Sequence, residues 1–245
     1  MPTPLNADAL QLATGRPVRI LDRCDSTNRL GREEARALLA AGPLPAALPV
    51  FVAEHQTAGR GRLGRRWEAE PGANLLFSVL LAPQLPLSRA PRAVLCWAAA
   101  LARTLDLWLK WPNDLVDAQD RKVAGLLTEH EAGPRADRVG CLVLGIGLNV
   151  NQVDFAGLPQ ATSLSRIRGG EQDRQALLLA CLRALDGARP EAPEALDGWR
   201  SRSRTLGRRV RVAGRQGLAT GLREDGALLV DGEAVLAGDV ELLSP

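Results

Sequence analysis

A segment rich in glycine and arginine is the first place where this sequence could do chemistry. Residues 59–66 read Gly-Arg-Gly-Arg-Leu-Gly-Arg-Arg. Glycines let backbone amides come close to an anion, and guanidinium groups offer paired donors to phosphate or carboxylate. The segment therefore predicts a binding loop for a phosphorylated or carboxylated small molecule.

The same loop also matches GxGxxG, the pattern of a dinucleotide-binding turn. That turn must open directly into the helix of a βαβ unit, whereas here Arg65, Arg66 and Trp67 follow, and then Pro71-Gly72. We therefore disfavour a dinucleotide-dependent oxidoreductase. A non-catalytic, arginine-rich nucleic-acid-binding protein stays open as an alternative, and it predicts strongly salt-dependent affinity.

A second segment, Lys110-Trp111-Pro112-Asn113-Asp114, gathers a cation, an amide and a carboxylate around a proline-fixed turn, and Lys122 follows it. Ammonium groups can neutralise a triphosphate, and a carboxylate can approach its magnesium ion or orient a nucleophile. Lys110 and Lys122 are the only lysines among 31 basic side chains. In a chain that otherwise uses arginine, this placement favours a chemical role over a capped turn with surface lysines.

A third polar segment, 145–151, ends an apolar stretch with two glycines and two asparagines. Polar side chains at the end of a strand often bind ligands, although a plain strand end with a turn is an alternative. No serine lies in a GxSxG elbow, and neither His55 nor His130 has an identifiable partner. A reaction driven by ATP can dispense with a covalent enzyme intermediate, because positioning and charge neutralisation are enough.

The composition is that of an ordinary soluble globular protein, with 46% hydrophobic and 24% charged residues. A net charge of +3 is too small to indicate a nucleic-acid binder by itself. The four cysteines lack metal-ligand spacing, which predicts reduced, mostly buried thiols. No apolar stretch has the length of a membrane span and no secretion signal is recognisable, so we expect a cytoplasmic protein.

The elements that must position these segments follow from hydrophobic spacing and turn residues. We expect a strand over 18–25, then a helix through Leu39 that the side-chain oxygens of residues 25–28 can cap. The residues at 92–105 predict a helix that packs on a sheet.

Farther along the chain, two neighbouring strands are predicted over 123–129 and 139–150. Beyond residue 204, short β-like runs are separated by the turn pairs Asp225-Gly226 and Asp231-Gly232. This alternation of short strands and turns predicts a small all-β module.

Together these segments resemble the biotin protein ligase family, in order and in spacing. The matching segments are Asp25 to Asn28, Gln56 to Trp67, Lys110 to Asp114, Arg121 to Gly125 and Gly145 to Asn149. The resemblance implies an enzyme that uses ATP and biotin as substrates, with Mg²⁺. Such an enzyme forms biotinyl-5'-AMP, releases pyrophosphate and passes biotin to a lysine of the biotin carboxyl carrier protein or domain of acetyl-CoA carboxylase.

The resemblance also implies roles for individual residues. The biotin-binding set is Ser26, Thr27, Asn28, Gln56, Arg60, Gly61, Arg62 and Lys122. The ATP-binding set is Arg62, Trp67, Lys110, Asn113, Asp114, Lys122 and Asn149. Catalytic roles are implied for Lys122, Arg60, Arg62 and Asp114, where Lys122 bridges the biotin carboxylate and the α-phosphate and Asp114 is a candidate magnesium ligand.

The implied fold is α+β, of the class II synthetase type: a mixed sheet flanked by helices, followed by a small SH3-like β-barrel. The expected domains are 1–203, which binds biotin and ATP, and 204–245, which is SH3-like. Because the catalytic segment begins near residue 18, we expect a short form without the DNA-binding domain of some relatives, hence no DNA partner. The lack of a long apolar stretch predicts no membrane partner either. A homodimer is left open. Lipoate protein ligase is the nearest alternative, but its pattern lacks Lys-Trp-Pro-Asn-Asp.

Overall fold

A computed structural model describes residues 3–83, 85–133, 135 and 137–243. The larger of its two sheets comes from the first part of the chain. Its strands are β1 (Val18–Leu21), β2 (Val50–Ala53), β3 (Leu75–Leu81), β4 (Trp108–Lys110), β5 (Asp114–Val116), β6 (Lys122–Ala132) and β7 (Val139–Leu148). They lie in the order β1-β2-β3-β7-β6-β5-β4. Only β1 and β2 pair in parallel among the described strands, so the sheet is mixed, as the family resemblance implied.

Helices cover both faces of this sheet. They are α1 (Ala7–Thr14), α2 (Thr27–Ala41), α3 (Ala90–Leu105), α4 (Leu164–Arg168), α5 (Arg174–Gly187) and α6 (Asp197–Ser201). The main hydrophobic core joins one sheet face to α3 and α5. A smaller core joins Leu80 and Val143 on the opposite face to Ala35 of α2. Since side chains alternate along a strand, Ser78, Gly145 and Gly147 lie on the face that α2 covers.

The first turn of α2 differs from the capping expected for it. Ser26 occupies the N-cap position, but its side chain makes no capping hydrogen bond. The backbone amide of Thr27 donates instead to Oε1 of Gln56 at 2.7 Å. The predicted cap is therefore wrong in this respect, because a side chain from a different segment accepts from the first turn.

The C-terminal strands form a second sheet, as predicted. They are β8 (Arg209–Val212), β9 (Arg215–Leu222), β10 (Leu228–Val230), β11 (Glu233–Val235) and β12 (Glu241–Leu242). All their pairings are antiparallel, in the order β11-β10-β9-β8-β12. Within the described residues no pairing between β11 and β12 closes this sheet into a barrel.

The C-terminal sheet is anchored to the turn between β4 and β5 by a buried tryptophan. The indole Nε1 of Trp111 donates to the carbonyl of Gly226 at 3.1 Å, and its backbone amide donates to Oγ1 of Thr205 at 2.9 Å. Arg92 of α3 adds a hydrogen bond to the carbonyl of Glu224 at 3.2 Å. These bonds hold the second sheet against the turn that carries Lys110, Asn113 and Asp114.

The cysteines are free thiols, and three of the four are buried, as the sequence predicted. Burial is the main cause that raises the pKa of Cys24 and Cys141 to about 11 and of Cys181 to about 12. At neutral pH these thiols are protonated and poorly nucleophilic. In the part of the chain that the structure describes, no helix has the length and apolar character needed to cross a membrane.

Candidate active site

A cavity of about 680 Å³ opens on the sheet face that α2 covers. Its walls come from the start of α2, the glycine-arginine loop, the turn between β4 and β5, and the C-terminal module, which is residues 204–243 with the second sheet. It is lined by these predicted site residues: Ser26, Thr27, Asn28, Gln56, Arg60, Gly61, Arg62, Trp67, Lys110, Asn113, Asp114 and Lys122. The tertiary structure thus brings the separate segments of the sequence into one site.

One end of the cavity carries a network of uncharged polar side chains. Oε1 of Gln56 accepts from Oγ1 of Thr27 at 3.1 Å, and Oγ of Ser78 lies 2.7 Å from both Thr27 Oγ1 and Asn28 Oδ1. The amide of Asn28 donates to the carbonyl of Leu127 and to the carboxylate of Glu129. This network fixes the orientation of polar groups that could bind a neutral, hydrogen-bonding ligand head.

Ser78 was not among the predicted site residues. It is fully buried in a strand whose other residues are all aliphatic or aromatic, Leu-Leu-Phe-Ser-Val-Leu-Leu. A buried hydroxyl needs a partner, so a lone serine in such a strand is a signal that could have indicated it.

Glycines form the floor of the cavity. Gly125 of β6 pairs with Gly147 of β7, and Gly145 pairs with Ser78 of β3. A Cβ atom at Gly145 would overlap Oδ1 of Asn28, and one at Gly147 would overlap the indole of Trp67. The strand ends at Leu148, within the predicted segment 145–151, and its two glycines allow two site residues to approach the sheet.

The glycine-arginine loop turns back on itself. The carbonyl of Gly59 accepts from the amide of Trp67 at 3.0 Å, and the amide of Gly61 donates to the carbonyl of Arg65 at 2.7 Å. Between them lies a short 3-10 helix, Arg62–Gly64, in which Leu63 has a φ of 54°. The loop leads back into extended chain and not into an α-helix, which agrees with the sequence argument against a dinucleotide-binding turn.

Three arginines of this loop meet carboxylates of the same chain. Nη1 of Arg60 lies 3.2 Å from Glu129, Nη1 of Arg62 lies 3.2 Å from Asp239, and Nη2 of Arg65 lies 2.6 Å from Asp239. These contacts orient the guanidinium groups around the cavity. Because these guanidinium groups already pair with carboxylates of the same chain, binding of the loop to a nucleic-acid backbone is the weaker interpretation. Neither Glu129 nor Asp239 was predicted as a site residue, because the sequence indicated Glu129 only as the end of a strand and Asp239 only as part of the all-β module.

Lys122 lies at the centre of the charged part of the cavity. Its Nζ is 2.7 Å from Oδ1 of Asp114 and 5.5 Å from the centroid of the Trp67 ring. Nε1 of Trp67 is buried and has no hydrogen-bond partner in the described residues. The ammonium group is thus held between a carboxylate and an aromatic face, where it remains a donor for a bound anion.

The side chain of Asn113 fixes the turn between β4 and β5. Its Nδ2 donates to the carbonyl of Leu126 at 2.6 Å, while its Oδ1 accepts from Nη1 of Arg62 at 3.3 Å. Lys110 lines the cavity, and within the described part of the chain no ion-pair partner of its ammonium group occurs. Lys110 therefore keeps its charge available for a phosphate.

Asn149 is not among the described residues that line the cavity. It is buried, its Nδ2 donates to the carbonyl of Thr162 at 3.0 Å, and its backbone amide donates to the carbonyl of Val123. These bonds hold the end of β7 beside the segment that follows it. A contact of Asn149 with nucleotide stays a prediction.

An ion-pair cluster at the rim joins the loop between β5 and β6 to the chain that enters the second sheet. Burial alone would raise the pKa of Asp120, but hydrogen bonds from Arg204 and Arg208 outweigh it and hold that pKa below its ordinary value. The two arginines lie 2.8 and 2.7 Å from the carboxylate. Asp120 and Arg208 both line the cavity.

Comparison with known proteins identifies the class to which this fold and site belong. The model of the Biotin/lipoate A/B protein ligase family matches residues 22–149, which include the polar network, the glycine-arginine loop and the floor glycines. The chain belongs to this family.

Two relatives show the extent of the sequence similarity. A biotin--[acetyl-CoA-carboxylase] ligase of Mycobacterium tuberculosis is 38% identical over 214 residues, which cover 78% of this chain and 77% of that protein. The bifunctional ligase/repressor BirA of Bacillus spizizenii is 37% identical over 139 residues, which cover 53% of this chain and only 42% of that protein. The matched stretch thus spans less than half of the Bacillus protein.

A solved structure extends the similarity to nearly the whole chain. The biotin protein ligase of Aquifex aeolicus in complex with biotin and ATP is 30% identical, with a TM-score of 0.65. The similarity covers 93% of this chain and 99% of that one.

Proposed function

We propose that this protein is an ATP-dependent biotin protein ligase. It forms biotinyl-5'-AMP from biotin and ATP with release of pyrophosphate. It then transfers the biotinyl group to a lysine of a biotin carboxyl carrier protein or domain, that of acetyl-CoA carboxylase. The observation that carries the proposal is the cavity in which an uncharged polar network, Lys122 and the arginines of the glycine-rich loop lie together.

The first step makes an acyl phosphate bond. A carboxylate oxygen of biotin attacks the α-phosphorus of ATP, and the bond from that phosphorus to the oxygen of pyrophosphate breaks. Negative charge is crowded where the two anions meet, so a fixed cation there lowers the barrier. Lys122 can bridge the carboxylate and the α-phosphate, because Asp114 and Trp67 already hold its ammonium group.

The polar network and the aromatic side chain suit the two neutral ends of the substrates. Thr27, Asn28 and Gln56 offer oriented donors and acceptors for the ureido group of biotin. Trp67 packs against Gly125 and Gly147 and offers a flat aromatic surface that can cover the adenine ring. Arg60 and Arg62 cover the charged middle of the two substrates.

In the second step the amine of the acceptor lysine attacks the carbonyl carbon of the mixed anhydride. An amide bond forms, the bond from that carbon to the phosphate oxygen breaks, and AMP leaves. The contribution of the enzyme to this step is to keep the adenylate away from water until the amine arrives.

The residues of the site fit magnesium that arrives with a triphosphate. In the described residues no group of three or more histidine, cysteine, aspartate or glutamate side chains could hold a metal ion. Mg²⁺ in nucleotide sites is commonly held by one or two carboxylates and the phosphates themselves. Asp114 is the carboxylate we assign to this contact, and the ion would neutralise phosphate charge.

We also propose two domains, 1–203 for binding and catalysis and 204–245 as an SH3-like module. The antiparallel pairing and tight turns of the second sheet support this assignment. Its contacts with Arg62 and Trp111 make it part of the active-site wall.

The test is the exchange of isotope-labelled pyrophosphate into ATP, measured with biotin, with lipoate and with neither. We expect exchange that depends on biotin, followed by labelling of a carboxyl carrier domain that contains its lysine. Exchange supported better by lipoate would make the protein a lipoate ligase. Absence of exchange together with salt-dependent binding to nucleic acid would overturn the enzymatic assignment.

A further inference from the structure

One carboxylate of the C-terminal module lies against two arginines of the glycine-arginine loop. Asp239 has its Oδ1 3.2 Å from Nη1 of Arg62 and its Oδ2 2.6 Å from Nη2 of Arg65. The neighbouring carbonyl of Gly238 accepts a further hydrogen bond from Nη1 of Arg62 at 3.1 Å. Residues separated by more than 170 positions in the sequence thus meet at the mouth of the cavity.

The hydrogen bonds of Arg62 leave one edge of its guanidinium group available to bind an anion. In the described residues they all use Nη1, which donates to Asn113, Gly238 and Asp239. Nε and Nη2 form the edge of a guanidinium group that binds a carboxylate or phosphate through two parallel hydrogen bonds. The contacts therefore fix the plane of the group while this edge stays available to a ligand.

The charges at the mouth of the cavity also indicate that Asp239 holds the arginines in place and does not block their binding of an anion. One carboxylate faces two guanidinium groups, so a net positive charge remains at the mouth of the cavity. The Arg62 side chain is 22% exposed and that of Asp239 is 33% exposed, so solvent screens this pair less than it screens a pair on the open surface. Arg65 is 69% exposed and contributes mainly by restraining the loop.

We propose that Asp239 is a positioning residue that holds the glycine-arginine loop over the substrates and sets the orientation of Arg62. The loop would otherwise be mobile, because it is rich in glycine and lies at the surface. With Asp239 in place, the acyl adenylate is retained until the acceptor lysine reaches it. The inference rests on the proposed function for its ligand, but the contact itself does not depend on that function.

The experiment compares Asp239→Asn, which keeps the shape and removes the charge, with Asp239→Glu, which keeps the charge. Glu233→Gln is the matched control, because it removes a carboxylate of the same module that pairs with Arg215 at an exposed position. Thermal unfolding checks that all variants fold. Two measurements follow: tryptic cleavage within 60–66 without substrates, and release of the adenylate formed from biotin and ATP.

We expect Asp239→Asn to speed loop cleavage and adenylate release by about fivefold or more, as for a coupled ion-pair network. Asp239→Glu should keep the rates of loop cleavage and adenylate release close to those of the wild-type protein, and Glu233→Gln should leave both rates at the wild-type value. The KM for biotin should rise more than kcat for pyrophosphate exchange falls. In an Arg62→Ala background, Asp239→Asn should have little further effect on adenylate release.

Unchanged loop cleavage and unchanged adenylate release in Asp239→Asn would overturn the proposal, as would effects that add fully to those of Arg62→Ala. A uniform loss of activity with a lowered unfolding temperature would indicate a purely structural residue and would also overturn it. If the unchanged protein shows no biotin-dependent exchange, the proposed function fails, whereas the cleavage measurement still decides whether Asp239 holds the loop.

Discussion

Lys122 illustrates how a rare residue acquires a defined environment. A lysine ammonium is a compact charge on a flexible stem, so a catalytic lysine needs neighbours that restrain it. Asp114 and the ring of Trp67 provide this restraint on two sides of Nζ. Lys110 lies opposite Asp114 in the pairing of β4 with β5, but among the described residues the ion pair of Asp114 is with Lys122, so the two lysines have different surroundings.

Replacing Lys122 with alanine should lower the rate of adenylate formation by about a hundredfold or more, as for the loss of one group that stabilises a charged transition state. The fold should persist, because the ammonium group is partly exposed. Biotin-dependent exchange of pyrophosphate into ATP measures the effect. Arg103→Ala, which removes an exposed charge from α3, is the control, and near-normal exchange by Lys122→Ala would show that its role is misassigned.

Arg62→Ala should let the adenylate leave the site more readily. The guanidinium group lines the cavity, and in the proposed reaction it would offer paired donors to the carboxylate and phosphate of the intermediate. The measurement is the rate at which labelled biotinyl-5'-AMP appears in solution after a single turnover. An unchanged release rate would contradict this role, even if binding of ATP became weaker.

At the scale of elements, two glycines of β7 make room for side chains at two parts of the cavity. Gly145 makes room for Asn28 at the start of α2, and Gly147 makes room for Trp67 at the end of the loop. Both face the same side of the sheet because they are two residues apart. One strand therefore sets the distance between the polar network and the aromatic surface.

Substitution of these glycines by alanine should separate the two binding functions. Gly147→Ala displaces the Trp67 indole and should raise the KM for ATP about fivefold or more, since loss of base–aromatic stacking costs about 1–3 kcal/mol. Gly145→Ala displaces the Asn28 amide and should raise the KM for biotin instead. Steady-state kinetics with each substrate varied in turn measures both.

The control for these variants is Gly221→Ala in β9, where a Cβ atom would meet only Cδ1 of Leu229 at an ordinary 3.7 Å. That variant should keep both KM values. Equal increases in the two constants for Gly145→Ala and Gly147→Ala would mean that the glycines maintain the sheet as a whole, and the division between ligand ends would be wrong.

At the scale of the molecule, the second sheet completes the site that the first sheet begins. The β5–β6 loop, the Trp111 turn and the glycine-arginine loop each contact the chain after residue 203. The cavity wall therefore depends on how firmly the C-terminal module is held. Asp120 is the acidic member of one such contact, with Arg204 and Arg208.

Asp120→Asn should lower the free energy of unfolding at pH 7 by about 1 kcal/mol, the upper range for a partly exposed ion pair. The pKa of Asp120 in the folded protein lies below the ordinary 3.8, so its stabilising effect is present above that value and is lost as the pH falls through the folded pKa. Urea unfolding at pH 7 and pH 3 measures the difference between the variant and the unchanged protein.

That difference should shrink at pH 3. Asp197→Asn is the control, because it disrupts an exposed pair with Arg200 within α6 and should change stability by a few tenths of a kcal/mol at most. A stability difference for Asp120→Asn that stays constant between the two pH values would contradict the assignment to its charge.

Much of the site was predictable because its motifs are contiguous. The glycine-arginine loop, the turn from Lys110 to Asp114, and Lys122 each carry their chemistry within a few neighbouring residues, and they all line the cavity. The helix and strand pattern was also predictable wherever hydrophobic spacing was regular, as in α3, β6 and β7. Helix α1, which precedes the first predicted strand, was not predicted.

The sequence by itself determined which chemical groups are present and which segments carry them, because residue type and local spacing are encoded along the chain. Only the tertiary structure decided which groups meet. Ser78, Glu129 and Asp239 reach the site through sheet register and through packing of the C-terminal module. Their partners lie 50 or more positions away in sequence, and no local pattern specifies contacts over such separations.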